Sequence, residues 1–396
     1  MEINFLGATG TVTGSKYLLS SGSTQILIDC GLFQGLKQLR LRNWDRLPID
    51  LSTLSAVVLT HAHIDHSGYL PLLVKQGYKG KVYCSAATRE LCSILLPDSG
   101  RLQEEQAEYT NRYAFSKHHP ALPLYTQEDA ELALQHLVAV DFKQDILIGG
   151  EVTMRLYPAG HIPGAASVEL RDTQTSIIFS GDLGRPDNPI MNPPTPLQDA
   201  DYLVLESTYG NRRHPAEDAQ QLLGDNIKRT AQRDGVVVIP AFAVGRTQML
   251  LHYIRQLKDA GTILDMPIYL NSPMVIIAGS GMATGGRVVH HLKAFAPDPK
   301  NTILFVGFQA EGTRGTAMVG GAKSIRIHGE DVPVLAQIES IDSLSAHADY
   351  AQIIEWLKKM KKAPRQVFVT HGEQQAATAM VQHIDEELHW PARVPE

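Results

Sequence analysis

The amino-acid sequence predicts an α/β protein. Strand-like runs alternate with helical stretches through roughly the first two hundred residues, a pattern typical of α/β layers. The alternation resumes further on, where residues 236–239 predict a buried strand between helices predicted over 215–233 and 245–258. Side chains of the types that bind metals follow several of the strand-like runs, and they indicate a metal site.

The strongest motif is Thr-His-Ala-His-Ile-Asp-His at residues 60–66, directly after an apolar strand-like run. Alternate side chains of an extended chain point the same way, so His61 and His63 can hold one cation. Asp65 and His66 lie further round the turn and can reach a second. Imidazole with carboxylate favours zinc first and other borderline divalent metals next. A histidine-rich tract this short already indicates metal binding.

Three other strand-like runs lead into side chains that could complete a metal site, namely His161, Asp182 and His371. His161 lies in a rigid loop bracketed by glycines, and a carboxylate such as Asp182 at the end of a strand can bridge two metals. Each would be weak evidence alone, because one His or Asp after a strand is more often a cap or turn residue. Together with residues 60–66 they predict a metal centre rather than a loop histidine cluster without ligands.

With these segments the chain resembles the metallo-β-lactamase-fold hydrolases, and more narrowly the beta-CASP ribonucleases of RNA processing, such as the nuclease subunit of messenger-RNA 3′-end processing. Residues 5–15 and 28–31 match the first segments of that family. Three segments separate the beta-CASP branch from other lactamase-fold hydrolases: Leu-Glu-Ser-Thr-Tyr-Gly at 205–210, Ser-Ala-His-Ala-Asp at 345–349 and Thr-His-Gly-Glu at 370–373. The resemblance covers nearly the whole chain, from Asn4 to about Glu373.

The resemblance implies a metallo-β-lactamase αββα sandwich with an inserted beta-CASP α/β domain. The expected segments are 1–207 for the metallo-β-lactamase domain, 208–358 for the beta-CASP domain and 359–396 for the C-terminal return into the first domain. One junction departs from the family: two strand-like runs within 267–278 are separated by almost nothing, whereas parallel neighbours need a crossover of about a dozen residues. We therefore predict that a segment is missing between about Met274 and Ile276, where the family has several helices. An intact mass equal to 43.5 kDa would show that the chain itself lacks it.

The resemblance also implies two zinc ions per chain and a ligand for each position. The predicted sets are His61, His63 and His161 for the first metal, Asp65, His66 and His371 for the second, and Asp182 as the bridge. Asp29 is expected to accept an N–H from a ligand histidine and so fix its tautomer. Paired metals about 4 Å apart would lower the pKa of a water and neutralise a phosphodiester. Asp65, Glu206 and His347 are the predicted catalytic residues, with His347 as general acid and Glu206 orienting it and raising its pKa.

Two Gly-bearing loops, residues 279–287 and 308–315, follow predicted strands. Backbone N–H groups at a helix start can hold a phosphate, although a tight turn is the simpler interpretation. In the beta-CASP family the corresponding loops line the RNA groove. By that resemblance Ser280, Arg314 and Ser345 are predicted to contact substrate phosphates.

Net charge, cysteine count and the length of apolar runs limit the class of protein. The formal net charge of −6 is not that of a protein that coats nucleic acid with cations. It does not exclude RNA, because bound metals and a few placed cations can set the local field. Three cysteines, at positions 30, 84 and 92, are too few for a disulfide framework and are expected as buried thiols. No run approaches the roughly 18 apolar residues of a membrane span, and the N-terminus lacks the basic stretch and apolar run of a signal peptide. A cytoplasmic protein without a membrane partner is therefore expected.

Several functions stay open on the sequence. The three beta-CASP segments favour zinc-dependent hydrolysis of single-stranded RNA over hydrolysis of small esters or thioesters, since a small substrate needs no inserted groove-forming domain. A non-catalytic subunit is disfavoured because every ligand position is filled. A DNA substrate, endonuclease or 5′ exonuclease action, and a homodimer are left open.

Overall fold

The computed structural model describes residues 1–113, 118–197, 199–263, 268–269 and 275–396. The chain forms two compact units. The first comprises Met1–Gln34, Gln38–Arg213 and His347–Glu396, and the second comprises Gly35–Lys37 and His214–Ala346. The domain boundaries expected after residues 207 and 358 stay a prediction.

The first unit begins with a six-stranded sheet whose strands are neighbours in chain order. Its strands are β1 (Glu2–Phe5), β2 (Tyr17–Ser21), β3 (Thr24–Ile28), β4 (Leu54–Val58), β5 (Lys81–Ser85) and β6 (Leu137–Val140). The first three strands pair antiparallel, and β3 to β6 pair parallel. The intervening helices are α1 (Lys37–Leu41), α2 (Ile64–Ser67), α3 (Leu70–Lys75), α4 (Ala86–Arg112) and α5 (Gln127–Leu134), with a 3-10 turn at Arg42–Trp44.

A seven-stranded sheet completes the sandwich of the first unit. Five strands come before the second unit: β7 (Ile146–Ile148), β8 (Val152–Pro158), β9 (Ala166–Arg171), β10 (Ser176–Phe179) and β11 (Tyr202–Glu206). The last two, β19 (Gln366–Thr370) and β20 (Ala392–Arg393), come from the C-terminal part and extend the sheet beyond β11 in parallel. The helices of that part are α10 (Tyr350–Leu357) and α11 (Gln374–Leu388).

The core of the first unit lies between its two sheets. Ile26 and Val58 of the first sheet pack with Leu156, Val168 and Phe179 of the second, all buried. Helices α3 and α4 cover the outer face of the first sheet, and α11 packs on β19 and β20. This helix–sheet–sheet–helix order confirms the predicted fold class. All three cysteines are buried free thiols, and within the described residues no helix has the length and apolarity needed to cross a membrane.

The second unit is built on a parallel sheet in the order β13 (Ile268–Tyr269), β14 (Val275–Ala278), β12 (Val237–Pro240), β15 (Thr302–Val306) and β18 (Gln337–Ile341). Its elements are α6 (Ala219–Ala231), β12 (Val237–Pro240), α7 (Arg246–Asp259), β13 (Ile268–Tyr269), β14 (Val275–Ala278), α8 (Arg287–Phe295), β15 (Thr302–Val306), α9 (Arg314–Val319), the hairpin strands β16 (Ser324–Ile327) and β17 (Glu330–Pro333), and β18 (Gln337–Ile341). Four-residue runs such as β12 and β14 are buried throughout, as parallel strands covered on both faces require.

Strands β13 and β14 are parallel neighbours, with Ile268 opposite Val275. A crossover between parallel neighbours takes about a dozen residues. The connection here, residues 270–274, lies outside the described residues, and the segment predicted to be missing falls at this junction.

Candidate metal centre and catalytic pair

The predicted ligands meet where strands of both sheets of the first unit end. Strand β4 leads into His61 and His63, while the short helix α2 carries Asp65 and His66. The others follow β8, β10 and β19 in turn: His161, Asp182 and His371. Ligand atoms of His61, His63, His161 and Asp182 lie within 4.8 Å of one another, as do those of Asp65, His66 and His371. Residues far apart in sequence therefore form two adjoining clusters.

Two glycines allow this convergence. A Cβ at Gly31 would lie 1.6 Å from the carbonyl oxygen of Asp65, and a Cβ at Gly184 would lie 1.9 Å from that of Gly160. Only a residue without a side chain permits such close approaches of two backbones. The loops after β3 and β10 can therefore pass directly against the segments that carry Asp65 and His161.

In the first cluster three imidazoles face one another. Nε2 of His61 and Nε2 of His161 lie 3.0 and 3.3 Å from Nδ1 of His63. Oδ2 of Asp182 lies 3.5 Å from Nε2 of His61 and 3.6 Å from Nε2 of His161. Four potential ligand atoms thus converge on one point.

In the second cluster Nε2 of His66 lies 3.1 Å from Nε2 of His371. Oδ2 of Asp65 lies 3.6 Å from that His371 nitrogen and 4.0 Å from the His66 nitrogen. The other oxygen of Asp182, Oδ1, lies 3.3 Å from Nε2 of His66. Asp182 therefore turns one carboxylate oxygen to each cluster, which is the geometry of a bridging ligand.

The residues present fit a divalent cation. A neutral imidazole has one donor and one acceptor nitrogen, so three converging imidazoles cannot satisfy one another. Nδ1 of His161 is buried without a hydrogen-bond partner. Burial lowers the pKa of His61 and His161 well below the usual range, and it lowers the pKa of His63 to about 4. These side chains are therefore neutral at pH 7, and neutral imidazole is the form that binds a metal.

Asp29 supports the second cluster from beneath. Its Oδ2 lies 2.7 Å from Nδ1 of His66, and its two oxygens accept hydrogen bonds from the backbone N–H and the hydroxyl of Thr60. Burial opposes the charged form of His66, but Asp182 and Asp29 outweigh it and raise the pKa of His66 well above its usual range. With its Nδ1 side occupied by Asp29, His66 directs Nε2 to the cluster.

Thr60 and Thr208 lie in the motifs at residues 60–66 and 205–210, but the sequence alone assigned neither residue a role. The Thr60 hydroxyl donates to Asp29 and lies 3.0 Å from Nδ1 of His61, so it accepts an N–H there. The hydroxyl of Thr208 lies 3.1 Å from Nδ1 of His371. In His61, Nδ1 contacts the Thr60 hydroxyl while Nε2 faces the first cluster. In His371, Nδ1 contacts the Thr208 hydroxyl while Nε2 faces Asp65 and His66. The available signal was position, since Thr60 directly precedes His61 and Thr208 lies two residues beyond β11.

His347 and Glu206 form a pair beside the clusters. Nδ1 of His347 lies 3.2 Å from both carboxylate oxygens of Glu206. Glu206 also accepts hydrogen bonds from the backbone N–H groups of Leu183 and Thr208, at 2.6 and 3.3 Å. Burial disfavours a charge on His347, but Glu206, together with Asp182 and Asp65, outweighs burial and raises the pKa of His347. Nδ1 of His347 lies 4.0 Å from Asp182, so the pair adjoins the ligands.

The three residues predicted to contact phosphates belong to the second unit. The Ser280 hydroxyl lies 2.9 Å from the Thr284 hydroxyl, within the Gly-rich loop between β14 and α8. Arg314 donates to the carbonyl oxygens of Arg326, Ala283 and Thr284 at 2.8 to 3.1 Å. Ser345 is buried, and its N–H donates to the carbonyl of Asp342. Ser280 and Arg314 both contact Thr284, so they lie at the same loop. The contacts of all three residues with phosphate stay a prediction.

Comparison with known families supports the same interpretation. Residues 9–225 match the metallo-beta-lactamase superfamily, residues 271–318 match the Beta-Casp domain, and residues 331–395 match the Zn-dependent metallo-hydrolase RNA specificity domain. The three matches follow one another along the chain and together span most of it.

Similar proteins include ribonuclease TTHA0252 of Thermus thermophilus, 32% identical over 433 residues that take in 96% of this chain and 95% of the relative. Transcription termination factor FttA of Methanosarcina mazei is 30% identical, over 98% of this chain and 69% of the relative. An RNase J-like protein of Methanocaldococcus jannaschii is 27% identical, over 99% of this chain and 97% of the relative. The alignment with the Thermus protein is longer than the 396 residues of this chain, so it contains gaps here. The chain belongs to the metallo-beta-lactamase superfamily, in its beta-CASP branch.

Proposed function

We propose that this protein is a metal-dependent ribonuclease that hydrolyses phosphodiester bonds of single-stranded RNA in the cytoplasm. One observation carries the proposal: a buried cluster of imidazoles and carboxylates adjoins a pair in which Nδ1 of His347 lies 3.2 Å from the Glu206 carboxylate. The relatives named ribonuclease and RNase J-like, together with the match to an RNA specificity domain, favour RNA over a small ester. Whether two copies of the chain associate is left open.

Seven side chains are proposed to hold two zinc ions. His61, His63 and His161 would hold the first, Asp65, His66 and His371 the second, and Asp182 would contact both. When bound, such a pair lowers the pKa of an attacking water and neutralises charge on the non-bridging phosphate oxygens. The protein's own contribution is to keep the imidazoles of His61, His63 and His161 neutral by burial. It also orients His61, His371 and His66 through Thr60, Thr208 and Asp29, respectively.

His347 is proposed as the group that gives a proton to the leaving oxygen. Glu206 occupies the Nδ1 side of the ring, so the proton for the substrate is the one on Nε2. The raised pKa keeps that proton in place near neutral pH until the leaving oxygen develops charge. Glu206 is itself fixed by two backbone N–H groups, so the imidazole it orients is fixed as well.

A cleavage assay tests the proposal. Zinc-loaded protein is incubated with labelled single-stranded RNA carrying a 5′-phosphate or a 5′-hydroxyl, and with a DNA strand of the same sequence, and products are followed on a denaturing gel. We expect RNA to be cut and Asp182→Ala to be inactive. Mononucleotides released from one end indicate an exonuclease, and discrete internal fragments indicate an endonuclease.

Two outcomes would overturn the proposal. Metal-loaded protein that leaves RNA intact but hydrolyses a thioester would assign it to small-substrate hydrolases. Cleavage that persists in Asp182→Ala would show that the activity does not depend on this cluster. The junction between about Met274 and Ile276 adds a control: if a segment is missing there, as the sequence predicts, restoring it should raise activity.

A further inference from the structure

A patch of the first unit exposes an aromatic ring among arginines. We call the residues Arg40, Leu41, Arg42, Trp44 and Arg46 the Trp44 surface. The Trp44 and Leu41 side chains are each 56% exposed. A single exposed apolar side chain is ordinary, but an exposed tryptophan flanked by cations is the composition of a binding surface.

The backbone beneath this surface is fixed on both sides of Trp44. Asn43 accepts a hydrogen bond from the Phe33 N–H and donates one to the Phe33 carbonyl, each at 2.9 Å. The carbonyl of Asp45 accepts a hydrogen bond from the hydroxyl of Tyr69 at 2.8 Å. Trp44 is therefore exposed because its neighbours hold it outward, not because the segment is loose.

The same anchors connect the surface to the metal centre. Phe33 follows Leu32, whose N–H donates to Ile64 directly before Asp65. Tyr69 lies about one helical turn beyond Asp65, and its own N–H donates to the carbonyl of Cys30. The backbone beneath the Trp44 surface is thus hydrogen-bonded to the segment that carries Asp65 and His66.

The local charge opposes that of the whole chain. Residues 40–46 contain three arginines and one aspartate, although the chain has a net charge of −6. The Arg42 guanidinium is held by the carbonyl of Leu6 at 3.1 Å and lies over the Phe33 ring. Arg40 and Arg46 are exposed, and neither forms an ion pair with a carboxylate among the described residues. They are therefore available to an external anion.

We propose that the Trp44 surface binds nucleotides of the RNA strand outside the bond that is cut, with Trp44 stacking on a base and Arg40 and Arg46 contacting phosphates. The proposal rests on the proposed ribonuclease function and adds a second contact region for its substrate. Aromatic stacking beside backbone-tracking cations is how proteins bind single strands without sequence preference. A second copy of this chain fits the surface less well, because a two-fold contact would set the arginines against one another.

Binding to RNA separates these alternatives. In an Asp182→Ala background that cannot cut, the anisotropy of labelled single-stranded RNAs of about 4 and about 20 nucleotides is measured at several salt concentrations, by analogy with single-strand site sizes. Trp44→Ala should weaken binding of the long RNA about tenfold. The difference in affinity between the long and the short RNA should therefore become smaller. Replacing Arg40 and Arg46 by Ala should lower the slope of log affinity against log salt by about 0.7 for each arginine.

Matched variants give the comparison. Phe142→Ala removes another exposed aromatic of the first unit, 36% exposed, and should leave RNA affinity unchanged. Trp44→Phe keeps a stacking ring and should restore most of the affinity. Circular dichroism of every variant checks that the fold is intact.

Three results would overturn the proposal. Long RNA bound equally well by Trp44→Ala and its parent would remove the stacking role. A loss of dimer in sedimentation with unchanged RNA affinity would make the surface a contact between copies. If wild-type protein neither cuts nor binds RNA, the proposed function falls too, whereas retained cutting with an inert Trp44 surface rejects this inference alone.

Discussion

The side chains proposed for chemistry and those proposed for phosphate binding are held in different ways. In the first unit His66 contacts His371 across 305 residues of sequence, and both side chains are buried. In the second unit Ser280 contacts Thr284 four residues away, in an exposed loop. The metal centre is thus assembled from buried strand ends that are distant in sequence, whereas the Gly-rich loop is exposed and is held by its own neighbours and by Arg314.

This difference predicts how substitutions act. A buried cluster of mutually contacting ligands functions as a unit, so removing one member disables the rest and the loss is large. An exposed loop supports substrate binding through several weak contacts, and removing one changes affinity more than rate. The following substitutions test that division, from the largest expected effect to the smallest.

Asp182→Ala removes a carboxylate that faces both clusters. We expect cleavage to fall by at least about 10⁴-fold, because residues that act as a unit lose nearly all their activity together. Metal content per chain, measured by inductively coupled plasma mass spectrometry, should fall as well. Asp187→Ala is the matched control, since it removes an exposed carboxylate from the same loop. Equal losses in the two variants would show that the loop, not the bridge, matters.

His347→Ala should retain both metals and slow the chemical step. Loss of a general acid costs about 10²- to 10⁴-fold in rate, and single-turnover cleavage at saturating enzyme measures it. KM should change little, because His347 is proposed to act on the leaving oxygen rather than on substrate binding. Glu206→Gln keeps the size of the orienting side chain and should lose less. If His347→Ala is purified without metal, its proposed role as proton donor is wrong.

Thr208→Val removes the hydroxyl that lies 3.1 Å from Nδ1 of His371 while keeping the shape of the side chain. Loss of such an orienting contact lowers metal affinity about 10- to 100-fold. Excess zinc should therefore recover most of the activity, which is the result that a merely unfolded variant would not give. Thr378→Val, in an exposed turn of α11, serves as the control and should bind zinc as the parent does. A Thr208 variant with unchanged zinc affinity would limit that hydroxyl to a structural role.

The family resemblance implied the αββα fold, and the residues of both clusters could be predicted from the sequence because their signals are local. Residues 60–66 hold four ligand candidates in one short segment, and Asp182 and His371 each follow a strand-like run. What the sequence could not show is where hydroxyls and guanidinium groups find partners through space. The hydroxyls of Thr60 and Thr208 are assigned only by their distances to His61 and His371.

The sequence also could not show that the Trp44 side chain is exposed. Trp44 lies in a stretch whose composition fits a buried aromatic as well as an exposed one, and only the hydrogen bonds of Asn43 and Asp45 show which way the ring is held. Arg314 is a further example. It was predicted to contact a substrate phosphate, yet its guanidinium donates to three backbone carbonyls. An effect of Arg314 on RNA can therefore act through the loop it holds, and its contact with phosphate stays a prediction.

Arg314→Ala should have the smallest effect of the series, and it should change KM rather than kcat. An arginine has five N–H donors, and Arg314 uses its Nε and Nη1 groups to hold the carbonyls of Ala283, Thr284 and Arg326. Each hydrogen bond contributes about 1 kcal/mol, so losing them should loosen the Gly-rich loop and raise KM for RNA roughly tenfold. Steady-state cleavage at several RNA concentrations separates the two constants.

The matched control is Arg326→Ala, because it removes the same charge from an exposed side chain but keeps the carbonyl that Arg314 uses. If charge alone mattered, the two variants would raise KM equally and flatten its salt dependence to the same degree. If Arg314 organises the loop, Arg314→Ala raises KM more than Arg326→Ala, and Arg314→Lys fails to restore it because an ammonium group cannot reproduce the planar fork of donors. A fall in kcat matching that of His347→Ala would break the division, since the second unit would then support the chemical step itself.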